Sequence, residues 1–173
     1  MSTPEGEAVL LRYADCPTAE VETIIEAAPA TVWRLVSDIT LPARFSSELQ
    51  AAEWLDQPAT PAAGARFTGR SYHPAIGTWE TTCTIGPYEP GQIFGWAVGD
   101  PRHPSSRWCF TLSQEGNGTR LRMSMQMGPA RSGINLAIDA RPDMESKILH
   151  RRLAEHRANM QATLAGIKEL AEA

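Results

Sequence analysis

The sequence lacks the features that would place it in several large classes of protein. No apolar stretch is long enough to span a bilayer, so we expect no membrane insertion. The N-terminus has no basic segment followed by an apolar one, which argues against a secretory signal and favours a cytoplasmic location. Basic runs are missing too, and the formal net charge of -4 argues against nucleic acid as the main partner.

Cysteine and histidine are scarce, and their spacing argues against a metal site or a disulfide framework. Cys16, Cys83 and Cys109 are an odd number without a CxxC pair, so we interpret them as reduced thiols. The four histidines show no ligand spacing with one another or with a cysteine. The sequence also has no phosphate loop, dinucleotide fingerprint or Ser-His-Asp order. We therefore expect neither a metal nor a tightly bound cofactor.

The residues that are present suit one folded core. The 173 residues are 42% hydrophobic and 21% charged, which is typical of one soluble globular domain. We expect an N-terminal leader of uncertain order over residues 1–18 and a single domain over residues 19–171. The sequence is compatible with a monomer or a homodimer.

Hydrophobic alternation and turn residues predict a chain made mostly of strands. A first strand is expected over residues 19–27, a short helix over 29–39, and a second short helix over 41–50. Gly-, Pro- and Asn-containing turns separate six further strand-like segments. Turns at such regular intervals predict an antiparallel meander. These six segments are 50–56, 65–72, 77–85, 92–99, 106–114 and 119–128. Residues 128–143 then predict a loop with room for one helical turn.

A long amphipathic helix is predicted over residues 143–171. Apolar residues recur there at three- and four-residue spacing, and His156 lies on the same stripe as Leu149 and Met160. The concave face of a curled sheet is the natural place to bury that stripe. We therefore predict an α+β helix-grip fold. Its seven-stranded curved antiparallel sheet wraps around a long C-terminal helix, with two short helices after the first strand.

The last strand raises a question about function. Leu121, Met123, Met125 and Met127 alternate with polar residues, which predicts one buried face and one wet face. Methionine is flexible and polarizable, so it suits a surface that adapts to what it contacts. Two interpretations stay open, ordinary core packing and the wall of a ligand cavity. The same choice applies to the tryptophans of the other strands, Trp54, Trp79, Trp96 and Trp108.

Five short segments carry a family resemblance. They are APATVWRLVSDI, LPARFSSELQAAEWL, the TWE of the fourth strand, the GTRLRM of the last strand, and RANM at 157–160. Together they span about residues 19–170 and resemble the START-related, or SRPBCC, superfamily, most closely its bacterial polyketide cyclases and aromatases. The resemblance implies a ligand cavity between the sheet and the long helix. It also implies that Asn159 is a cavity residue.

The resemblance and the parity of the strands together predict which side chains bind the ligand. The predicted ligand-binding residues are Phe45, Trp79, Thr81, Cys83, Ile85, Trp96, Trp108, Phe110, Met123, Met125, Asn159 and Met160.

Two positions depart from the family's pattern. The inward arginine that aromatase cyclases use to polarise a ketone oxygen corresponds to Ile85, and their cavity tyrosine corresponds to Glu48. Electrostatic stabilisation of an oxyanion often contributes more to such catalysis than any other single effect. Three alternatives follow: the activity is different, another residue supplies the charge, or no residue does.

Three polar residues are the catalytic candidates. His156 is the best general base that the chain offers near pH 7, the alternative being a satisfied core histidine. Asn159 lies about one turn further along and would hold a carbonyl. Glu48, if buried at the cavity mouth, would have a raised pKa and act as an acid or base; the alternative is a solvated residue. The run LHRRLAEHR, residues 149–157, is expected to form a solvated helix face with partial Glu–Arg pairing.

The sequence supports three functions in a definite order. The first is binding of a hydrophobic, aromatic or polyketide-like small molecule by a cofactor-independent cyclase or dehydratase. The second is a non-catalytic carrier of a small molecule or lipid, which the missing arginine and the flexible methionines favour. The third is an interaction protein like the co-chaperone members of the superfamily. It ranks last because the apolar residues lie on inward faces rather than in an exposed patch.

Overall fold

Seven antiparallel strands form one sheet in the computed structural model, which describes residues 9–57 and 60–173. The strands are β1 (Thr18–Ile25), β2 (Leu49–Trp54), β3 (Arg66–His73), β4 (Gly77–Glu89), β5 (Ile93–Val98), β6 (Ser106–Glu115) and β7 (Gly118–Met127). Their order in space is β1-β7-β6-β5-β4-β3-β2, a meander whose first strand pairs with its last. The predicted helix-grip fold is confirmed.

Three α-helices accompany the sheet, α1 (Pro29–Val36), α2 (Ile134–Ala140) and α3 (Glu145–Glu172). Helix α1 begins with Pro29 in its first turn, where the fixed φ of proline suits a helix and its missing N–H is not needed. Val32 and Val36 bury the inner face of α1. No helix within residues 9–57 and 60–173 is both long enough and apolar enough to cross a membrane.

Two local predictions differ from the structure. The second short helix expected over residues 41–50 is only a 3-10 turn, Leu41–Arg44. The Ser46 hydroxyl accepts hydrogen bonds from the backbone N–H groups of Glu48 and Leu49, both at 3.0 Å, so it competes with helix formation. Leu49 then pairs with Ser71 as the start of β2. The loop expected over residues 128–143 contains the seven-residue helix α2 instead of one turn.

Helix α3 contacts the sheet unevenly along its length. Towards its C-terminus it packs closely, since a Cβ on Gly166 would lie 2.4 Å from the ring of Phe45. There the Lys168 ammonium also donates a 2.6 Å hydrogen bond to the Ile24 carbonyl of β1. Nearer its N-terminus, Arg152 and Asn159 face a space between helix and sheet. Helix α3 therefore packs closely in its C-terminal part and borders a cavity in the part before it.

The N-terminal leader was expected over residues 1–18, and residues 1–8 lie outside the described part of the chain. The segment that follows contacts the beginning of α3. The backbone N–H of Leu11 donates to the Ser146 hydroxyl at 3.0 Å, and that of Tyr13 donates to the Glu145 carboxylate at 2.8 Å. The Tyr13 hydroxyl donates to the Ala130 carbonyl at 2.6 Å. These bonds hold the segment against the loop before α2 and against α3.

Candidate functional site

A partly enclosed cavity of about 480 Å³ lies between α3 and the concave face of the sheet. Cavities of roughly 300–1,000 Å³ are usual for small-molecule sites. Most of the predicted ligand-binding residues line it, namely Trp79, Thr81, Cys83, Trp96, Trp108, Phe110, Met123, Met125, Asn159 and Met160. The catalytic candidates Glu48, His156 and Asn159 line it too.

Phe45 and Ile85 do not line the cavity, contrary to the sequence-based prediction. Phe45 lies against the backbone of α3 at Gly166, where the missing side chain makes room for its ring. Ile85 has the inward parity that was expected, opposite Trp96 in the sheet, but it is buried in the apolar core. Parity along a strand gives the direction of a side chain, and it cannot say where along the strand a cavity ends.

Apolar side chains of β4 to β7 form one side of the cavity, which we call the sheet wall: Trp79, Trp96, Trp108, Phe110, Met123, Met125 and Met127. Trp96 and Trp108 are directly opposite each other on β5 and β6. Their planes differ by 6° and their ring centroids are 6.3 Å apart, so the two indoles are stacked parallel to each other. The Trp108 N–H is satisfied by the Ser106 hydroxyl at 3.0 Å. Trp54 lies outside the wall, edge-on to Phe67.

Cys83 of β4 lines the cavity, and its buried surroundings make its thiol unreactive. Burial raises the pKa of Cys83 to about 11, against a smaller opposing effect of the Thr81 hydroxyl. The thiolate is the nucleophilic form of cysteine, and it is scarcely populated at neutral pH when the pKa is that high. Cys83 therefore contributes shape and apolar surface to the cavity.

Polar side chains of α3 form the opposite side, which we call the helix row: Arg152, His156, Asn159 and Thr163. Their spacing of four, three and four residues places all four on one face of the helix. The Thr163 hydroxyl is occupied, because it donates to the Asn159 carbonyl at 2.9 Å. The other three members offer polar groups to a guest, together with lining hydroxyls such as that of Ser71.

Arg152 is the main correction to the sequence-based expectations, which placed it on a solvated helix face. Its side chain is only 14% exposed, whereas that of Arg151 next to it is 84% exposed. Arg152 Nη1 donates to Glu48 Oε2 and to Glu155 Oε2, each at 2.9 Å, and Nη2 donates to Glu48 Oε1. Burial by itself lowers the pKa of Arg152, but Glu48 and then Glu155 outweigh it and the net shift is upward. The cavity thus contains a permanent cation that was not predicted from the sequence.

Glu48 lines the cavity as the partner of that cation. Its side chain is 13% exposed, and both carboxylate oxygens accept hydrogen bonds from Arg152. From the sequence, Glu48 was expected to be an acid or base if buried at the cavity mouth, and otherwise a solvated residue. In the structure a guest meets a carboxylate–guanidinium pair instead, and the carboxylate has its lone pairs partly engaged.

His156 lies between the helix row and the sheet wall. Its ring meets Trp108 edge-on, with centroids 5.2 Å apart and an interplanar angle of 82°. Burial, and after it the positive charges of Arg152 and His73, lower the pKa of His156 to about 3. The imidazole is therefore neutral at pH 7, as expected. A group with so low a pKa is a poor proton acceptor at that pH, because base strength falls with pKa.

Asn159 has one half of its amide fixed by the loop before β2. Its Oδ1 accepts hydrogen bonds from the backbone N–H and from the hydroxyl of Ser47, both at 2.9 Å. A backbone N–H can only donate, so the atom facing Ser47 is the oxygen. The Nδ2 group makes no hydrogen bond to the described residues, which leaves it as the donor that Asn159 can offer to a guest.

The sequence did contain a signal for Arg152. Polar residues at 152, 156, 159 and 163 recur with the same period as the apolar stripe of α3, directly beside Leu149, Leu153 and Met160. A polar row adjoining the buried stripe indicates polar groups that face the interior. The mixed charges of residues 149–157 obscured this pattern, because Arg151 and Arg157 do face solvent.

Comparisons with known proteins agree with this geometry. A family model described as "Polyketide cyclase / dehydrase and lipid transport" matches residues 17–172. The solution structure of the Polyketide_cyc-like protein Cgl2372 from Corynebacterium glutamicum is 30% identical, with a TM-score of 0.63 over 88% of this chain and 90% of that one. No curated protein sequence matches the chain.

Two further solved structures are similar in fold. TTHA0849 from Thermus thermophilus is 16% identical, with a TM-score of 0.63 over 90% of this chain and 97% of that one. The di-domain ARO/CYC BexL of the BE-7585A biosynthetic pathway is 15% identical, with a TM-score of 0.69 over 94% of this chain and 52% of that one. At such low identity these two likenesses concern the fold alone.

Proposed function

The chain belongs to the polyketide cyclase/dehydrase and lipid transport family, and from this premise we propose that it binds a hydrophobic, oxygenated, aromatic or polyketide-like small molecule. The observation that carries the proposal is the cavity of about 480 Å³ with an apolar sheet wall facing a polar helix row. Ligand sites of this kind combine a large apolar surface with a few placed polar groups. A cytoplasmic location, and action as a monomer or homodimer, belong to the same proposal.

The two sides of the cavity have separate parts in this proposal. The stacked indoles of Trp96 and Trp108 pack against the rings or chain of the ligand, and the methionines adapt to its outline. The oxygen atoms of the ligand face α3. Asn159 Nδ2 donates to one of them, and Arg152 keeps N–H groups beyond those that Glu48 and Glu155 use, because a guanidinium has five.

Binding is tested by placing a bulky side chain at a residue that lines the cavity. The same substitution at the adjacent residue, which faces away from the cavity, is the control. Ser71 lines the cavity and makes no side-chain hydrogen bond to the described residues, while Arg70 is exposed on the other face of β3. We expect Ser71→Trp to abolish fluorescence-detected binding of 1-pyrenemethanol and Arg70→Trp to leave it unchanged. Equal affinities in both variants would place the probe elsewhere and refute the proposal.

The reaction that fits the cavity is a cofactor-independent cyclisation or dehydration. The walls would hold a flexible polyketone close to its reactive geometry, a contribution that reaches several kcal/mol in favourable cases. Arg152 and Asn159 would hold a carbonyl oxygen, and His156 or Glu48 would move the proton. We expect turnover of candidate polyketones to be lost when His156→Ala, Glu48→Gln and Asn159→Ala are combined. Turnover that survives all three changes would refute this mechanism.

A second candidate is a carrier that returns its ligand unchanged, and the state of the polar groups favours it. His156 has a pKa of about 3 and is a weak base, and the cation of Arg152 is shared by two carboxylates. Native mass spectrometry of the gently purified protein distinguishes the two candidates. A carrier releases the compound that it was loaded with, whereas an enzyme converts it.

A further inference from the structure

The balance of charge in the cavity points to the class of its ligand. We infer that the cavity accepts uncharged oxygenated ligands and rejects carboxylates, and that Glu48 is the residue that sets this preference. The inference rests on the proposed function, because it concerns the ligand of the same cavity. It separates neutral ketones, alcohols and phenols from fatty acids and other organic acids, which an apolar cavity of this size would otherwise admit equally.

The charged side chains around the cavity are more negative than positive. Among the described residues, those that line it with a charge at pH 7 are Asp38, Glu48 and Arg152, a formal sum of -1. His156 adds nothing because its imidazole is neutral. Glu155 lies behind Arg152, and Arg151 Nε is 3.7 Å from its Oε1, so this second pair leaves the sum unchanged. An anion entering from water therefore meets no net positive charge.

The Nη1–Nη2 edge of the Arg152 guanidinium already holds a carboxylate. A guanidinium binds a carboxylate best through two parallel N–H donors, and Arg152 already presents Nη1 and Nη2 to the two oxygens of Glu48. Glu155 Oε2 also accepts from Nη1 at 2.9 Å. The side chains of Arg152 and Glu48 are 14% and 13% exposed, so water screens the pair only weakly. A ligand carboxylate at the remaining Nε–H and Nη2–H groups would be the third carboxylate around one cation, and the charges of Glu48 and Glu155 would repel it.

Glu155 is itself held in place from the other side. The backbone N–H of Ala75 donates to His73 Nδ1 at 3.0 Å, so in the neutral ring the proton is on Nε2. His73 Nε2 lies 3.3 Å from Glu155 Oε2, and Arg151 Nε lies 3.7 Å from Glu155 Oε1. Both carboxylates around Arg152 thus have contacts that hold them in place. Displacing them to admit an anion would disturb several bonds at once.

A neutral oxygen meets a different environment. A carbonyl or hydroxyl oxygen needs only one donor, and Asn159 Nδ2 and the remaining N–H groups of Arg152 are available without moving Glu48. Desolvating an uncharged oxygen costs far less than desolvating a carboxylate. The same polar groups that accept a ketone or an alcohol therefore discriminate against an acid.

The test compares two probes of equal shape, 1-pyrenemethanol and 1-pyrenecarboxylate, by fluorescence titration at pH 7.5. We expect the wild-type protein to bind the alcohol at least about tenfold more tightly than the carboxylate. In Glu48→Gln the amide keeps the size of the side chain and removes the competing charge. We expect the ratio of carboxylate affinity to alcohol affinity to rise about tenfold or more in that variant.

Glu53→Gln is the matched control, because it removes the same charge five residues further along, from β2, at an exposed position outside the cavity. It should leave the ratio of the two affinities as in the wild type. If Glu48→Gln does not fold, Glu155→Gln tests the same charge balance. It should reduce the preference for the alcohol over the carboxylate, by a smaller factor than that expected for Glu48→Gln. Equal binding of both probes by the wild type, or equal effects of Glu48→Gln and Glu53→Gln, would refute the inference and leave the proposed function standing. Failure of the wild type to bind either probe would refute both.

Discussion

The two sides of the cavity differ in how their chemistry is arranged. The sheet wall takes its surface from alternate residues of several strands, and methionine, tryptophan and phenylalanine dominate it. The helix row takes its polar groups from one helix, and their charges are balanced by residues far away in sequence, such as Glu48. The sheet wall can supply affinity for almost any apolar shape. Selectivity must therefore come from the helix row and its partners.

The largest expected effect comes from removing the cation of the helix row. Arg152→Met leaves Glu48 buried beside an apolar side chain, and breaking a buried ion pair in this way costs about 3–5 kcal/mol of unfolding free energy. Arg151→Met, at a side chain that is 84% exposed, should change that free energy by less than about 0.5 kcal/mol. Urea denaturation measures both.

Adding Glu48→Gln to Arg152→Met removes the stranded charge. The double variant should recover part of the lost stability, because the remaining cost is that of a neutral polar group. A double variant that is less stable than Arg152→Met would contradict the account of the pair.

A smaller effect should distinguish the sheet wall from the solid core on the same strand. Leu121 and Met125 point to the same face of β7 and are 0% and 3% exposed, but only Met125 lines the cavity. Leu121→Ala should cost about 3 kcal/mol of unfolding free energy, a typical value for a core leucine. Met125→Ala should cost about half as much, because a side chain beside a void has fewer contacts to lose. Equal costs would indicate that the space beside Met125 is filled.

The last expected effect is a dependence of stability on pH that comes from His156. Its folded pKa of about 3 lies below the unfolded value near 6.5, so between those values the unfolded chain binds a proton that the folded one does not. Its contribution is fully present above about pH 6.5 and is lost as the pH falls towards 3, by at most about 1.4 kcal/mol per pH unit.

Replacing that histidine should flatten the profile. Relative to the wild type, His156→Gln should lose less stability between about pH 6.5 and pH 4, as followed by urea denaturation across that range. His103→Gln, at an exposed position, should keep the wild-type slope. Parallel profiles for wild type and His156→Gln would show that the imidazole is protonated in the folded protein.

The sequence predicts the sheet wall well because its signal is local. Period-two alternation in residues 119–128 identifies the inward face of β7, and the structure buries Leu121, Met123, Met125 and Met127 as that pattern requires. The long helix follows in the same way from its apolar stripe. The alternation does not show how far along a strand the cavity extends. For that reason Ile85 was assigned to the cavity although it lies in the core.

The sequence places His156 and Asn159 at the cavity but predicts the ion pair of Arg152 poorly, because the partner of Arg152 is distant in sequence. Arg152 looks like a solvated residue until Glu48, which is 104 positions away, is placed beside it. Glu48 in turn was expected to follow a helix, and the Ser46 hydroxyl ends that segment after a single 3-10 turn. A buried ion pair forms only when tertiary structure brings its two partners together. The local sequence around either residue therefore does not reveal the pair.

The central claim is that a ligand enters the space between α3 and the sheet, and methionine methyl groups report on that space directly. Met123, Met125, Met127 and Met160 line the cavity, while Met144 precedes α3 and does not. In protein labelled with ¹³C at the methionine methyl groups, saturating 1-pyrenemethanol should shift the NMR signals of those four and leave that of Met144 in place. A shift confined to Met144, or no shift at any of the four cavity methyl groups, would contradict the account.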